Sequence, residues 1–351
     1  MLGLDGGLWA AIAGFAGGAI MGLAARRGRF CSMGAVEDAV YGADLGRLRM
    51  MALAAAVAIA GTFGLIAAGW LDPGQTLYYR VAWSPAGAVI GGLLFGFGMA
   101  QVGTCGFGAL ARLGGGDLRA LVMVLVIAIA GYATLAGPLA PLRHLIVPPD
   151  AAVAPGTDGI AHLVGGALGL SPALPAFAAA AVLAAWALAD PRFRRPGPWL
   201  GWPSAVGGAI VLAWAVTAWA SRESFAVVPV ESFTFVAPMG ETLLYAMSSA
   251  GTVPDFSIGA VAGVVAGAAI GAGVGGEARW EACDDARELR RQMGGAALMG
   301  VGGVLALGCT IGQGLSALSV LSLSAPITIL SILAGARAGL FLLVERGALQ
   351  R

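Results

Sequence analysis

The sequence predicts an all-α, polytopic membrane protein, and its composition is the first reason. Of the 351 residues, 58% are hydrophobic and only 11% are charged. A water-soluble domain of this length needs far more charge to cover its surface, so most of this surface must face lipid. The 57 glycines agree, because small residues let membrane helices approach one another closely. The net charge of +1 does not indicate nucleic acid as a partner.

The apolar stretches are the second reason. About nine of them are long enough to cross roughly 30 Å of hydrocarbon at ~1.5 Å per residue. They cover residues 8–25, 50–69, 86–102, 119–137, 172–189, 203–220, 257–275, 294–309 and 326–344. Several are short for a full crossing, and the loop segments 160–170 and 233–250 are apolar enough to enter the membrane, which indicates broken or short re-entrant helices. We expect one transmembrane domain over residues 1–351, with approximate halves 1–190 and 191–351.

The loops between these stretches differ sharply in arginine content. One alternate set, with the C-terminal segment, holds 16 arginines, whereas the other set holds 3. The positive-inside rule places the arginine-rich set in the cytoplasm. The sequence therefore predicts a multi-pass protein of the bacterial inner (plasma) membrane, with a periplasmic N-terminus and a cytoplasmic C-terminus.

Three of the four cysteines lie in a repeated glycine pattern. Cys31, Cys105 and Cys309 each have glycines 14 and 9 residues before them and another glycine 3 residues after them. The glycines that follow are Gly34, Gly108 and Gly312. The second and third copies fall on the third and eighth stretches, which run in opposite directions in the predicted topology. Related segments of opposite direction are typical of inverted-repeat transporters, whose halves meet at a pseudo-twofold axis.

A Cys-x-x-Gly motif at the end of a membrane span predicts a broken helix. Glycine permits a positive φ, so the helix can end there. A break inside the membrane is tolerated only where the freed N–H and C=O groups face a cavity or buried partners. A helix N-terminus at such a break attracts anions, and a thiol adds a weak S–H donor with a polarisable sulfur. The pattern therefore predicts a site for a soft anion.

Other readings of the cysteines stay open. Each could be a small buried hydrophobic side chain in a structural subunit, or part of a membrane thiol oxidoreductase, although no Cys-x-x-Cys is present. Because no histidine or paired ligand lies near the cysteines in sequence, we expect no metal and no cofactor, and no enzymatic activity. Cys283 lacks the glycine pattern, so we expect it in a cytoplasmic segment outside any passage.

Two arginines, Arg29 and Arg337, each allow more than one interpretation. Arg29 precedes the first cysteine motif, where it either attracts an anion at the inner end or serves as an ordinary cytoplasmic anchor. Arg337 lies near the middle of the 326–344 stretch. An arginine is costly there, so we expect it to face the protein interior or pair with an acid, unless the span is shifted and the side chain snorkels to the interface.

At these motifs the sequence resembles the YeeE/YedE family of membrane proteins, whose best-understood members import thiosulfate. The similar segments are GRFCSMGAVEDA, GFGMAQVGTCGFGALARLGGG and GGAALMGVGGVLALGCTIGQGLSALS. The resemblance implies a helical fold with inverted halves and a pore whose three thiols pass the anion along by S–H hydrogen bonds. The substrate-binding residues that it implies are Cys31, Cys105, Cys309, Gly34, Gly103, Thr104, Gly108, Gly308 and Gly312.

The middle motif departs from the family pattern at one position. It reads Gly103-Thr104-Cys105, where many relatives have Gly-Gly-Cys, so Thr104 adds a hydroxyl donor or narrows the passage. Other branches of the family are linked to different sulfur or selenium species. We expect an importer of thiosulfate or a related small sulfur-containing anion, surrounded by membrane lipid. A cytoplasmic sulfur-carrier protein is a partner implied by the resemblance.

Overall fold

The chain is mostly helical in the part that the computed structural model describes, which is residues 6–146, 159–224, 228–249, 253–281 and 285–345. Cys283 lies outside these residues. The α-helices of the described part are α1 (Gly6–Arg27), α2 (Ser32–Glu37), α3 (Gly46–Ala67), α4 (Leu77–Arg80), α5 (Pro85–Val102), α6 (Gly106–Gly114), α7 (Leu118–Leu135), α8 (Ala140–Ile146), α9 (Ile160–Leu168), α10 (Ala173–Leu188), α11 (Pro198–Glu223), α12 (Val236–Ser248), α13 (Phe256–Gly275), α14 (Ala286–Leu305) and α15 (Ser324–Leu340).

Seven helices of the described chain are long and apolar enough to cross a membrane, and α9 with α10 makes an eighth if that bent pair is one span. The bend between α9 and α10 is 117°. Of the predicted stretch at 294–309, residues 294–305 form the apolar half of α14 and the last four follow the helix. The first turns of α14 carry Arg287, Glu288, Arg290 and Arg291, so the whole helix is less apolar than the other seven. The all-α, polytopic prediction is confirmed.

Large apolar side chains cover the outside of the bundle. Ile129, Val182 and Leu330 are 59%, 69% and 67% exposed. Continuous apolar surface of this kind is unfavourable in water and favourable in hydrocarbon. The outward faces of α7, α10 and α15 are therefore lipid-facing.

Glycines on both helices hold α1 against α13. A Cβ atom at Gly14 would meet the carbonyl oxygen of Phe256, and one at Gly22 would meet that of Val264. Glycines of α13, such as Gly263, likewise lie against the backbone of α1. Contacts advance in the same direction along both helices, so the two helices are parallel. α5 and α15 pack in the same way, through glycines that leave no room for a side chain.

α5 and α14, which precede the second and third cysteines, run in opposite directions. A Cβ atom at Gly91 would meet the carbonyl oxygen of Gly302, whereas one at Gly98 would meet that of Gly295. The contact moves forward on α5 as it moves backward on α14, which defines an antiparallel pair. This agrees with the opposite directions expected for the two motifs. The pseudo-twofold relation of the halves stays a prediction.

The arginine-rich loops gather at one end of the bundle. The side chain of Arg26, at the end of α1, lies against Gly115, and the Arg119 guanidinium pairs with Glu281 at 3.0 Å. At the opposite end, Gly6 at the start of α1 lies against Ser224, just after α11. The two ends therefore differ in charge as the sequence predicts. Which end faces the cytoplasm stays a prediction.

Candidate functional site

The three repeated cysteines share one local geometry. Each Sγ accepts a hydrogen bond from the backbone N–H of the glycine three residues on, at 3.4 Å in all three cases. Cys31 caps α2 and Cys105 caps α6, whereas Cys309 precedes a π-helical turn over residues 312–317. Because this bond uses a lone pair on sulfur, the S–H hydrogen is left to donate to another group.

The glycine three residues after each cysteine leaves room for this N–H···S hydrogen bond, which we call the thiol cap. A Cβ atom at Gly108 would collide with the Thr104 hydroxyl, and one at Gly312 would collide with the Thr234 hydroxyl. In the first motif, a Cβ atom at Gly34 would collide with the Arg47 guanidinium. The repeated glycine is therefore needed for space beside each sulfur.

A left-handed backbone conformation comes two residues before each cysteine. The φ angles there are 54° at Arg29, 76° at Gly103 and 53° at Leu307. A non-glycine residue in this conformation costs roughly 1–2 kcal/mol, so the turn must be needed at this place. This repeated conformation is not apparent from the sequence, because the three residues that adopt it are an arginine, a glycine and a leucine. Arg29 is exposed and its backbone makes the turn.

Side chains downstream of the cysteines bind the carbonyl groups that the helix breaks set free. The Nη2 of Arg112 donates to the Gly103 carbonyl at 3.0 Å. In the third motif, the Nε2 of Gln313 donates to the carbonyls of Ala306 and Leu307 at 2.9 and 3.1 Å. Each side chain thus pairs with carbonyl groups beside a helix break, as a break inside the membrane requires. Sequence reasoning missed these two residues, although a glutamine in an apolar stretch was an available signal.

The first and third motifs touch each other, and the second lies beside both. The Ser32 hydroxyl donates to the Thr310 hydroxyl at 3.1 Å, and both side chains are buried. Cys105 lies within electrostatic range of Cys31 and of Cys309. All three cysteines are free thiols, two of them buried and Cys31 half-buried. The predicted cysteines are therefore neighbours inside the protein, although Cys31 and Cys105 are 74 residues apart in sequence and Cys105 and Cys309 are 204 apart.

Polar groups from α4 and from the extended segment 228–235 lie around Cys309. The hydroxyl of Thr234 is 4.0 Å from Cys309 Sγ, and the Tyr78 hydroxyl donates to the Gly312 carbonyl at 2.8 Å. The Ser316 hydroxyl donates to the Phe233 carbonyl at 2.7 Å. These bonds hold the extended segment 228–235 against the third motif. Sequence reasoning expected residues 233–250 to enter the membrane but did not identify Tyr78 or Thr234.

The remaining predicted site residues lie at the same breaks. Thr104 is buried, and its hydroxyl and Cys105 Sγ flank Gly108. Gly308 has a φ of 153°, within the range that favours glycine. Arg337, in contrast, has an exposed side chain in the last turn of α15, so the expectation of an interior position is wrong. The helix continues as a π-helical segment over Phe341–Glu345, so the expectations that Arg337 pairs with an acid or snorkels to the interface stay predictions.

Comparison with known proteins places the chain in a family. The family described as sulphur transport matches residues 27–338, a range that holds all three repeated cysteines. The thiosulfate transporter TsuA of Escherichia coli (strain K12) is 34% identical to this chain over 105 residues. That match covers 30% of this chain and 28% of the length of TsuA. On the family match, the chain belongs to the sulphur transport family of membrane proteins.

Proposed function

We propose that this protein imports thiosulfate, or a closely related small sulfur-containing anion, from the periplasm to the cytoplasm. The observation that carries the proposal is the threefold thiol cap, in which Cys31, Cys105 and Cys309 have the same N–H···S bond and lie near one another. The family and the name of the similar Escherichia coli protein support a sulfur anion as cargo.

Each thiol acts as a weak, neutral hydrogen-bond donor to the passing anion. The glycine N–H fixes the sulfur, and the S–H hydrogen turns to an oxygen or sulfur of the anion. Conduction needs binding that is firm enough for entry and weak enough for release, which S–H donors provide. A thiolate would repel the anion and attack its sulfur–sulfur bond, so the neutral form is the transporting one.

We infer the order of the thiols from their positions relative to the two ends of the bundle. Cys309, beside Tyr78 of α4 and Thr234 of the extended segment, is the first to meet the anion. Cys105 receives it next, because it interacts with both other thiols. Cys31 follows α1, whose end lies among the arginine-rich loops, and it is adjacent to release. The anion thus moves toward the positively charged end, which the positive-inside rule assigns to the cytoplasm.

Uptake of radiolabelled thiosulfate by proteoliposomes tests the proposal. We expect protein-dependent accumulation that unlabelled thiosulfate abolishes and that sulfate, sulfite and selenosulfate reduce to different degrees. Mass spectrometry of the three cysteines after turnover should find unmodified thiols. No accumulation above protein-free vesicles would reject thiosulfate transport. A persulfide or a disulfide that forms on turnover would instead favour covalent thiol chemistry.

A further inference from the structure

A polar cavity opens directly beside the second cysteine motif. Its volume is about 300 Å³, and its lining includes Gly103 and Thr104 of that motif together with Gln101, Arg112 and Gln292. A second cavity of about 230 Å³ adjoins it, because Arg112, Asp117 and Arg119 line both. The second cavity also contains Arg26, from the last turn of α1.

The arginines of these cavities differ in how their charge is balanced. Arg119 pairs with Asp117 at 3.3 Å and with Glu281 at 3.0 Å. Within the described residues, Arg112 and Arg26 have no carboxylate within 4.0 Å. The Nε of Arg26 is buried and has no hydrogen-bond partner in that part of the chain. The guanidinium groups of Arg112 and Arg26 therefore line one small cavity without a direct salt bridge, although Asp117, Glu277 and Glu281 also line it.

Both arginines are also close in sequence to the thiols. Arg26 lies five residues before Cys31, and Arg112 lies seven residues after Cys105, at the other end of the short helix that Cys105 caps. Arg112 is within electrostatic range of the Cys31 thiol. An anion that leaves the two thiols toward the arginine-rich end enters the field of Arg112 first.

We propose that Arg112 and Arg26 form an inner anion-binding site, which receives a divalent oxyanion from Cys31 and Cys105 and holds it before release. This inference rests on the proposed function and adds a residue pair to it. Planar guanidinium groups bind oxyanions by paired, charge-assisted hydrogen bonds that an S–H donor cannot match. The site makes transfer away from the weak thiol donors favourable, and the nearby carboxylates limit how tightly the anion is held.

Transport measured separately from each side tests the site. The variants are Arg112→Gln and Arg26→Gln, and the matched control is Arg195→Gln, which removes a charge at the same end of the bundle and lines neither cavity. In vesicles of uniform orientation, we expect the thiosulfate concentration for half-maximal transport from the arginine-rich side to rise about tenfold in either cavity variant. In the same variants, the thiosulfate concentration for half-maximal transport from the opposite side should change by less than about twofold. Arg195→Gln should leave this concentration unchanged from either side.

A binding assay separates failure of this site from failure of the transport proposal. Thiosulfate or sulfate should raise the unfolding temperature of the purified protein in detergent, and Arg112→Gln should abolish that rise while Cys309→Ala retains it. Because Arg112 also caps the Gly103 carbonyl, Arg26→Gln provides a variant without that structural bond. If wild-type vesicles do not transport but the arginine-dependent rise persists, the site stands and the proposed function fails. Unchanged half-saturation and unchanged binding in both cavity variants would overturn the site.

Discussion

Ser32 and Thr310 are 278 residues apart in sequence, and their hydroxyl groups hydrogen-bond at 3.1 Å inside the protein. Each follows a cysteine directly, so this bond fixes the distance between the first and third thiol caps. Neither residue belongs to the repeated glycine pattern. The contact shows how two segments from the ends of the chain are assembled into a single site.

The glycine three residues after each cysteine should be intolerant of alanine. Gly108→Ala and Gly312→Ala place a methyl group against a threonine hydroxyl and push the N–H away from sulfur. We expect thiosulfate uptake to fall at least about tenfold while folded protein remains in the membrane. Gly314→Ala is the matched control, since its new methyl meets nothing within 4 Å. Equal loss in the control would show that uptake reports general damage.

The left-handed residue before Cys105 should matter for stability. Gly103 has open space around it, so Gly103→Ala introduces no collision but strains the backbone at a φ of 76°. We expect a loss of about 1 kcal/mol, measured by thermal unfolding in detergent. Gly208→Ala on α11 also meets open space and lies in a regular helix, so it should be neutral or slightly stabilising. A neutral Gly103→Ala would contradict the requirement for this turn.

The glycines nine residues before the cysteines should act through helix packing. A Cβ atom at Gly22 would collide with the Val264 carbonyl, and one at Gly96 with the Ile332 carbonyl. We expect Gly22→Ala and Gly96→Ala each to destabilise the protein by about 1–3 kcal/mol. For the protein that remains folded, the thiosulfate concentration for half-maximal transport should be unchanged. Gly273→Ala on α13, which meets open space, serves as the control.

An arginine between two aspartates predicts acid sensitivity. Arg192 binds Asp44 at 2.8 Å and Asp190 at 2.7 Å, and this hydrogen bonding lowers the pKa of Asp190 to about 2 and lowers the pKa of Asp44 as well. A carboxylate with a lowered pKa stabilises the fold above its unfolded value of about 3.9, and that contribution is lost as the pH falls toward the folded value.

The expected unfolding temperature in detergent is therefore constant between about pH 7 and 5 and falls below about pH 4. Arg192→Gln should lower stability at neutral pH and make the acid fall shallower. If the unfolding temperature falls equally at low pH in wild type and in Arg192→Gln, other carboxylates control the acid sensitivity.

The sequence predicted most of the helices and the three thiols, because long apolar stretches and a glycine repeat are local signals. It did not predict the left-handed turns at Arg29 and Leu307, since neither residue type favours that conformation. Gln313 and Tyr78 were missed because their bonds depend on which loops meet in the folded protein. Arg112 was counted only as a charge in an arginine-rich loop, and its contact with Gly103 required the tertiary structure.

The glycine repeat itself combines two physical requirements. Gly22 and Gly96 allow close helix packing, whereas Gly34 and Gly108 make room for the thiol cap. Sequence comparison treats these positions alike because the residue is the same. Only the neighbours of each glycine separate the structural positions from those that shape the site.

The central claim is that the three capped thiols carry the anion, and uptake by single-cysteine variants tests it most directly. Initial rates of radiolabelled thiosulfate uptake should be compared for Cys31→Ala, Cys105→Ala and Cys309→Ala at equal amounts of folded protein, with Cys283→Ala as the control. We expect the buried Cys105 and Cys309 variants to lose essentially all uptake, their serine counterparts to retain part of it, and Cys283→Ala to match wild type. Wild-type rates in Cys105→Ala or Cys309→Ala would contradict the account.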